Sequence, residues 1–159
     1  MKPVAHTRIT LFLDFDGVLH PALCPYEKHF CRRPLFEDVM RRHPAVRIVI
    51  SSSWRRIHAI DYLRSRFSRD IAERIVGTTQ LWEPDEPMNR YQEILAYIGK
   101  QRLDGIPWLA LDDSAFEFPE RCANLLLCDS RFGLTDERAE ALAYRLSLMA
   151  GKLGRLAGA

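Results

Sequence analysis

The sequence predicts an α/β fold, a Rossmann-like three-layer sandwich whose central sheet has five strands and is mainly parallel. Three observations predict it. Five short apolar runs recur along the chain, stretches of helical periodicity separate them, and polar residues directly follow three of the runs. Strands that alternate with helices need crossover connections, and these put helices on both faces of a parallel sheet.

The elements come in this order. Ile9–Leu13 is the first strand. Leu35, Phe36, Val39 and Met40 form the stripe of a helix that stops at His43-Pro44, because the proline ring cannot continue it. Val46–Ile50 is the second strand, and Ile57, Ile60, Leu63 and Phe67 predict a helix after it. Arg74–Gly77 is the third strand, followed by a rim loop over Gly77–Pro87, where turn residues cluster. Tyr91, Ile94, Leu95 and Ile98 make the next helical stripe, and Trp108–Leu111 and Asn124–Cys128 are the last two strands. Leu142, Leu146 and Met149 define the final helix, with Thr135 as its N-cap and Asp136 and Glu137 complementing the dipole of its first turn. The glycine-rich tail, Lys152–Ala159, is expected to fray.

A chain of 159 residues is expected to fold as one domain, and 47% hydrophobic with 28% charged residues is ordinary for a globular protein. The net charge of +2 gives no bulk argument for nucleic-acid binding. The basic residues are mostly arginine, which suits bidentate phosphate contacts, although a compositional bias accounts for them equally well. No apolar run approaches the ~18 residues of a membrane helix, and the start of the chain does not read as a signal peptide. Cys24, Cys31, Cys122 and Cys128 show no CxxC spacing, so a reduced, cytoplasmic protein without membrane attachment is expected. His20, Cys24, His29 and Cys31 lie near one another in sequence, but their spacing matches no standard zinc pattern and does not by itself establish a metal site.

Ligands of parallel α/β sheets bind beyond the carboxyl ends of the strands. Asp14 and Asp16 follow the first strand, Ser51-Ser52-Ser53 the second and Asp112-Asp113 the fourth. Residues two apart on extended backbone point the same way, so both aspartates can face the ligand while Phe15 faces the core. Gly17 allows a sharp turn there. Converging carboxylates repel one another, and an oxygen-only donor set favours Mg²⁺, which leaves one carboxylate able to attack phosphorus. Ser51 can donate its hydroxyl to a phosphoryl oxygen, and the N–H groups of Ser52 and Ser53 would open the next helix. The plainer alternative is that these serines only cap that helix. Arg90, at a helix start, opposes the dipole and so reads as set for an anionic ligand, or as an ordinary surface arginine. Trp54 reads as a packing anchor, Arg55 as either a substrate contact or a surface residue, the His20–Pro34 segment as a flap, and Asp129 as structural.

Taken together, "LFLDFDGVLH", "IVISSSWR", "NRYQEI" and "WLALDD" resemble the four motifs of the haloacid dehalogenase (HAD) superfamily. The SSSWR segment is similar to that of the small HAD domains of Swiss Army knife RNA-repair proteins. The resemblance implies a nucleophile at Asp14, which becomes a phosphoaspartate, and a general acid/base at Asp16, whose main-chain carbonyl also meets the metal. It implies Mg²⁺ held among Asp14, Asp16, Asp112 and Asp113, and phosphate binding by Ser51 and Ser52, with Arg90 in the place usually held by lysine. An aspartate rather than a threonine at position 16 favours hydrolysis over a long-lived phosphoenzyme. The implied activity is that of a Mg²⁺-dependent phosphohydrolase. The alternatives are a non-catalytic phosphate-binding scaffold and a DxD glycosyltransferase; the latter leaves Ser51, Arg90 and Asp112-Asp113 unexplained. The intervals between motifs are too short for a cap domain, so an open site is expected. That points to a phosphate at the end of RNA or DNA, flanked by Arg32, Arg33, Arg55 and Arg56, with a phosphoprotein as the second choice. Oligomeric state is left open.

Overall fold

In the computed structural model, which describes residues 8–82 and 85–157, the apolar runs form strands β1 (Ile9–Leu13), β2 (Val46–Ile50), β3 (Ile75–Thr78), β4 (Trp108–Asp112) and β5 (Leu125–Leu127). They make one sheet in the order β3-β2-β1-β4-β5, with every neighbouring pair parallel. The third strand starts one residue later than the sequence suggests. Arg74 is committed elsewhere: its guanidinium donates to the carbonyls of Met40, His43 and Val46 at 2.7–3.0 Å, tying the helix that precedes the second strand to the sheet.

The helices are α1 (Arg33–Arg42), α2 (Ile60–Arg64), α3 (Arg69–Ala72), α4 (Arg90–Lys100) and α5 (Asp136–Ala157). Strand side chains alternate between the two faces. Ile9, Leu11, Leu13, Ile48, Ile50, Leu109 and Leu111 join one buried cluster with residues of α1 and α5. Phe12, Val49 and Ala110 join the other with Ile94, Tyr97 and Ile98 of α4. Both faces are thus covered, which gives the Rossmann-like three-layer sandwich. Asn89 and Gln92 form a reciprocal capping box at the start of α4, and the Thr135 hydroxyl caps α5 by accepting from the Arg138 N–H at 3.3 Å.

One expectation is corrected. The stripe from Ile57 to Phe67 is not one helix. A 3-10 turn (Ser53–Arg56) gives way to the short α2, Ile57 is 78% exposed, and Phe67 is buried after α2 has ended. Arg64 donates twice to the Ile75 carbonyl, and Ser68 gives its N–H and hydroxyl to the buried Glu37 of α1 at 2.7 Å. These tertiary bonds hold the chain out of helical register. At the tail, α5 runs to Ala157, and Leu153 packs on the core one turn beyond Met149.

No cap domain is present among the described residues. Between β1 and β2 lie a loop with one 3-10 turn (Tyr26–Lys28) and α1; between β3 and β4 lie a loop and α4. No helix is long and apolar enough to cross a membrane among the described residues.

Candidate active site

Strand order reverses at β1, whose chain leads outward to β2 on one side and which meets β4 on the other. At such a switch point the two adjoining loops diverge and leave a crevice. Asp14 and Asp112 straddle it. Asp112 is the last residue of β4, and Asp14 follows β1 and donates its N–H to the Leu111 carbonyl at 3.1 Å. Carboxylate oxygens of Asp14, Asp112 and Asp113 all lie within 4.8 Å of one another. Gly17, at φ +73°, makes this possible, because a Cβ there would lie 2.0 Å from Asp113 Oδ2. From the sequence this glycine reads as a turn residue; in the structure it also makes room for Asp113.

Arg90 at the first residue of α4 reaches into the cluster. Its Nη1 lies 2.8 Å from Asp112 Oδ2 and 3.4 Å from Asp14 Oδ1, and its backbone N–H donates to Glu117 at 2.6 Å. Burial opposes the Arg90 charge, but Asp14, Asp112, Glu93 and Glu117 outweigh it and raise its pKa. Burial, followed by the charge of Asp14, raises Asp112 to about 7, although Arg90 and the Ser114 N–H pull the other way. Asp113 is raised by the same two causes.

Asp16 is held differently. Its Oδ1 accepts from His20 Nε2 at 2.8 Å and its Oδ2 from Trp54 Nε1 at 2.9 Å. His20 Nδ1 accepts the Phe30 N–H at 3.2 Å, so the ring proton resides on Nε2 and points at Asp16. The His20 hydrogen bond is the main reason the Asp16 carboxyl titrates below the usual range; burial works against it, and Trp54 adds to the lowering. The Asp16 side chain thus stands apart from the group formed by Asp14, Asp112 and Asp113.

Ser51 and Ser52 are buried at the end of β2. The Ser51 N–H donates to Leu13, and its hydroxyl has no hydrogen-bond partner among the described residues. Ser52 does act as a cap, accepting the Trp54 N–H at 3.4 Å, but it caps a four-residue 3-10 turn instead of a helix. Trp54 packs against Phe15 and Phe30 as an anchor while its indole N–H serves Asp16. Arg55 is neither a substrate contact nor a surface residue. It is buried, lies 2.6 Å from Glu93 of α4, and donates to the carbonyls of Ser51, Ser52 and Thr79 at 2.8–3.1 Å. His20 is fully buried beneath Asp16, so it belongs to the floor of the site instead of a flap. Sequence reasoning missed the roles of His20, Glu93 and Glu117. The i,i+4 spacing of Asp16 and His20 and the i,i+3 spacing of Arg90 and Glu93 are local signals that could have found the first two.

A parallel α/β domain with three carboxylates and an arginine gathered at the switch point is HAD-like in architecture. The family model described as the HAD domain in Swiss Army Knife RNA repair proteins matches residues 10–139, most of the chain, and the chain belongs to that family. Comparison with curated proteins and with solved structures found no match.

Proposed function

We propose that the protein is a Mg²⁺-dependent phosphomonoester hydrolase that works through a covalent phosphate on Asp14. The observation that carries this reading is the convergence of Asp14, Asp112 and Asp113 with Arg90 bridging two of them. The donor set fits the ion: all the oxygens are hard, and the pKa values of Asp112 and Asp113, raised first by burial and then by the charge of Asp14, mark ionised carboxylates that a divalent cation would stabilise. Asp14, Asp112 and Asp113 would hold it by their side chains and Asp16 by its main-chain carbonyl. When bound, Mg²⁺ supplies Lewis acidity toward the phosphoryl oxygens.

The chain's own groups supply the rest. An Asp14 carboxylate oxygen attacks phosphorus as the bond to the leaving alcohol oxygen breaks, and that oxygen takes a proton from Asp16. Asp16, now a carboxylate, takes a proton from water, whose oxygen attacks phosphorus and frees Asp14 and inorganic phosphate. Ser51 and Ser52 bind the phosphoryl oxygens by hydroxyl and backbone N–H. Arg90 offsets the negative charge that builds up there. His20 and Trp54 aim Asp16 by holding one oxygen each.

The substrate we propose is a phosphate at the end of an RNA or DNA strand. The family description supports it, as does the open edge left by the missing cap. Of the four arginines, the exposed Arg56 remains for flanking phosphates; Arg32 donates to the Phe132 carbonyl, Arg33 to the Arg66 carbonyl, and Arg55 is withdrawn from that set. The four free thiols fit a reducing, cytoplasmic setting. Turnover of an aryl phosphate with Mg²⁺, lost in Asp14→Asn, tests the chemistry. A wild-type chain that binds phosphate yet stays inert across metals and pH overturns it in favour of a scaffold.

A further inference from the structure

A second cluster of possible metal ligands, of different chemistry, lies apart from the carboxylate group. A ring nitrogen of His20, the Sγ of Cys24 and a ring nitrogen of His29 all lie within 4.8 Å of one another. Zinc bonds of ~2.0–2.3 Å in a tetrahedral shell place such donors ~3.3–3.6 Å apart, so rotation of these side chains by about an ångström closes the set. His29 Nδ1 is buried and has no hydrogen-bond partner among the described residues. A buried ring nitrogen left without a partner costs free energy unless something else meets it. The His20 and His29 rings stack with centroids 4.6 Å apart, which brings both to one side of the loop that carries Cys24. His20 keeps its Nε2–H on Asp16, the arrangement by which a carboxylate orients a metal-bound imidazole, so its ligand atom is Nδ1, which gives up the Phe30 N–H it accepts at 3.2 Å when the ion binds.

We propose that Cys24, His29 and His20 bind a zinc-class divalent ion that fastens the residue 21–32 loop to the floor beneath Asp16. The Cys24 thiol loses its proton to solvent as the sulfur–metal bond forms. The loop has reason to need such a clamp: it contains one 3-10 turn, Leu23 is 98% exposed, and Phe30 is its buried hydrophobic anchor. The two sites select different ions. Imidazole and thiolate favour a borderline-soft metal, whereas the three carboxylates favour a hard one. The proposal stands independently of the phosphohydrolase reading, because neither Cys24 nor His29 belongs to the carboxylate group.

The test titrates the full-length, metal-free chain with Co²⁺. One equivalent should develop a thiolate-to-cobalt charge-transfer band together with the visible bands of tetrahedral cobalt, and one equivalent of Zn²⁺ should remove both. Cys24→Ser should abolish the charge-transfer band. His29→Gln should weaken Co²⁺ binding roughly tenfold or more. Asp113→Asn should leave the bands intact. In the unaltered chain, Zn²⁺ should also protect Cys24 from alkylation, read by mass spectrometry, so the result does not depend on either variant folding. No charge-transfer band at saturating Co²⁺, a band that survives Cys24→Ser, or a band lost in Asp113→Asn overturns the proposal, as does alkylation of Cys24 that Zn²⁺ leaves unchanged.

Discussion

Asp14 and Asp16 are two residues apart, yet the structure gives them opposite surroundings. Asp14 faces other carboxylates and Arg90, while Asp16 accepts one hydrogen bond on each oxygen. Asp14→Asn should abolish turnover and raise the melting temperature of the metal-free protein at neutral pH, because it removes a charge that destabilises ionised Asp112 and Asp113. Retained activity in that variant, with contamination excluded, defeats the phosphoaspartate mechanism. Asp16 presents a separate test. Its lowered pKa favours the carboxylate needed for the second half of the reaction and leaves little of the acid needed for the first. Hydrolysis of alkyl phosphates should therefore fall as pH rises through the acidic range, and aryl phosphates, with better leaving groups, should fall less. Trp54→Phe removes one donor, raises the Asp16 pKa and should move that fall to higher pH. An alkyl-phosphate profile that does not move would deny Trp54 its positioning role. Gly17→Ala should cost ~1–2 kcal/mol for the left-handed backbone alone, and the clash with Asp113 adds to this. Chemical denaturation would read it directly.

At the scale of elements, arginine works chiefly as a fastener. Arg74 ties α1 to β2, Arg64 ties α2 to β3, and Arg55 joins the end of β2 to α4 through Glu93. Both partners of the last pair are nearly inaccessible, with side chains 3% and 4% exposed. Removing one partner of a buried pair leaves the other charge stranded. Glu93→Gln should therefore cost about 3–5 kcal/mol. Because Arg90 also leans on Glu93 at 3.7 Å, the same variant should weaken phosphate binding. Urea denaturation and the KM for phosphate esters measure the two effects. Loss of stability with an unchanged KM would mean that α4 holds Arg90 without help from Glu93.

For the whole molecule, the central electrostatic fact is a buried carboxylate whose pKa the fold raises from the ordinary range to about 7. In the native state Asp112 keeps its proton to higher pH than in the unfolded chain. Its contribution to stability is therefore fully present below the unfolded pKa and is lost as pH rises to about 7 and beyond. The metal-free protein should lose melting temperature across that window, and Asp112→Asn should flatten the trend. Added Mg²⁺ should stabilise the protein most at the alkaline end, where both acids are ionised. A melting temperature that rises through the window in metal-free buffer would contradict the burial argument. The open, capless edge carries its own expectation. kcat/KM should be higher for phosphate-ended oligonucleotides than for mononucleotides or sugar phosphates, and the preference should weaken with salt. Equal or better activity on small sugar phosphates refutes the nucleic-acid reading.

The sequence by itself determined the order of elements, the parallel sheet and which polar residues stand at the strand ends. All of these rest on short-range signals: apolar runs, capping residues, and polar groups at strand ends. Asp14, Ser51, Arg90 and Asp112 were legible because each sits next to an element boundary that local patterning marks. Tertiary structure alone decided which charges meet. Whether Arg55 turned outward or inward depended on Glu93, far along the chain, and whether His20 lay in a flap or beneath Asp16 depended on the Phe30 N–H and the packing around it. The helix written in the Ile57–Phe67 pattern yielded for the same reason, to hydrogen bonds that Glu37 accepts from Ser68 and Arg64 donates to Ile75, which no local window contains. Periodicity reports which face a residue prefers when its neighbours in sequence are its only neighbours. A buried ion pair or a bond to a distant carbonyl is worth more than that preference, and it forms only once the sheet has brought its two ends together.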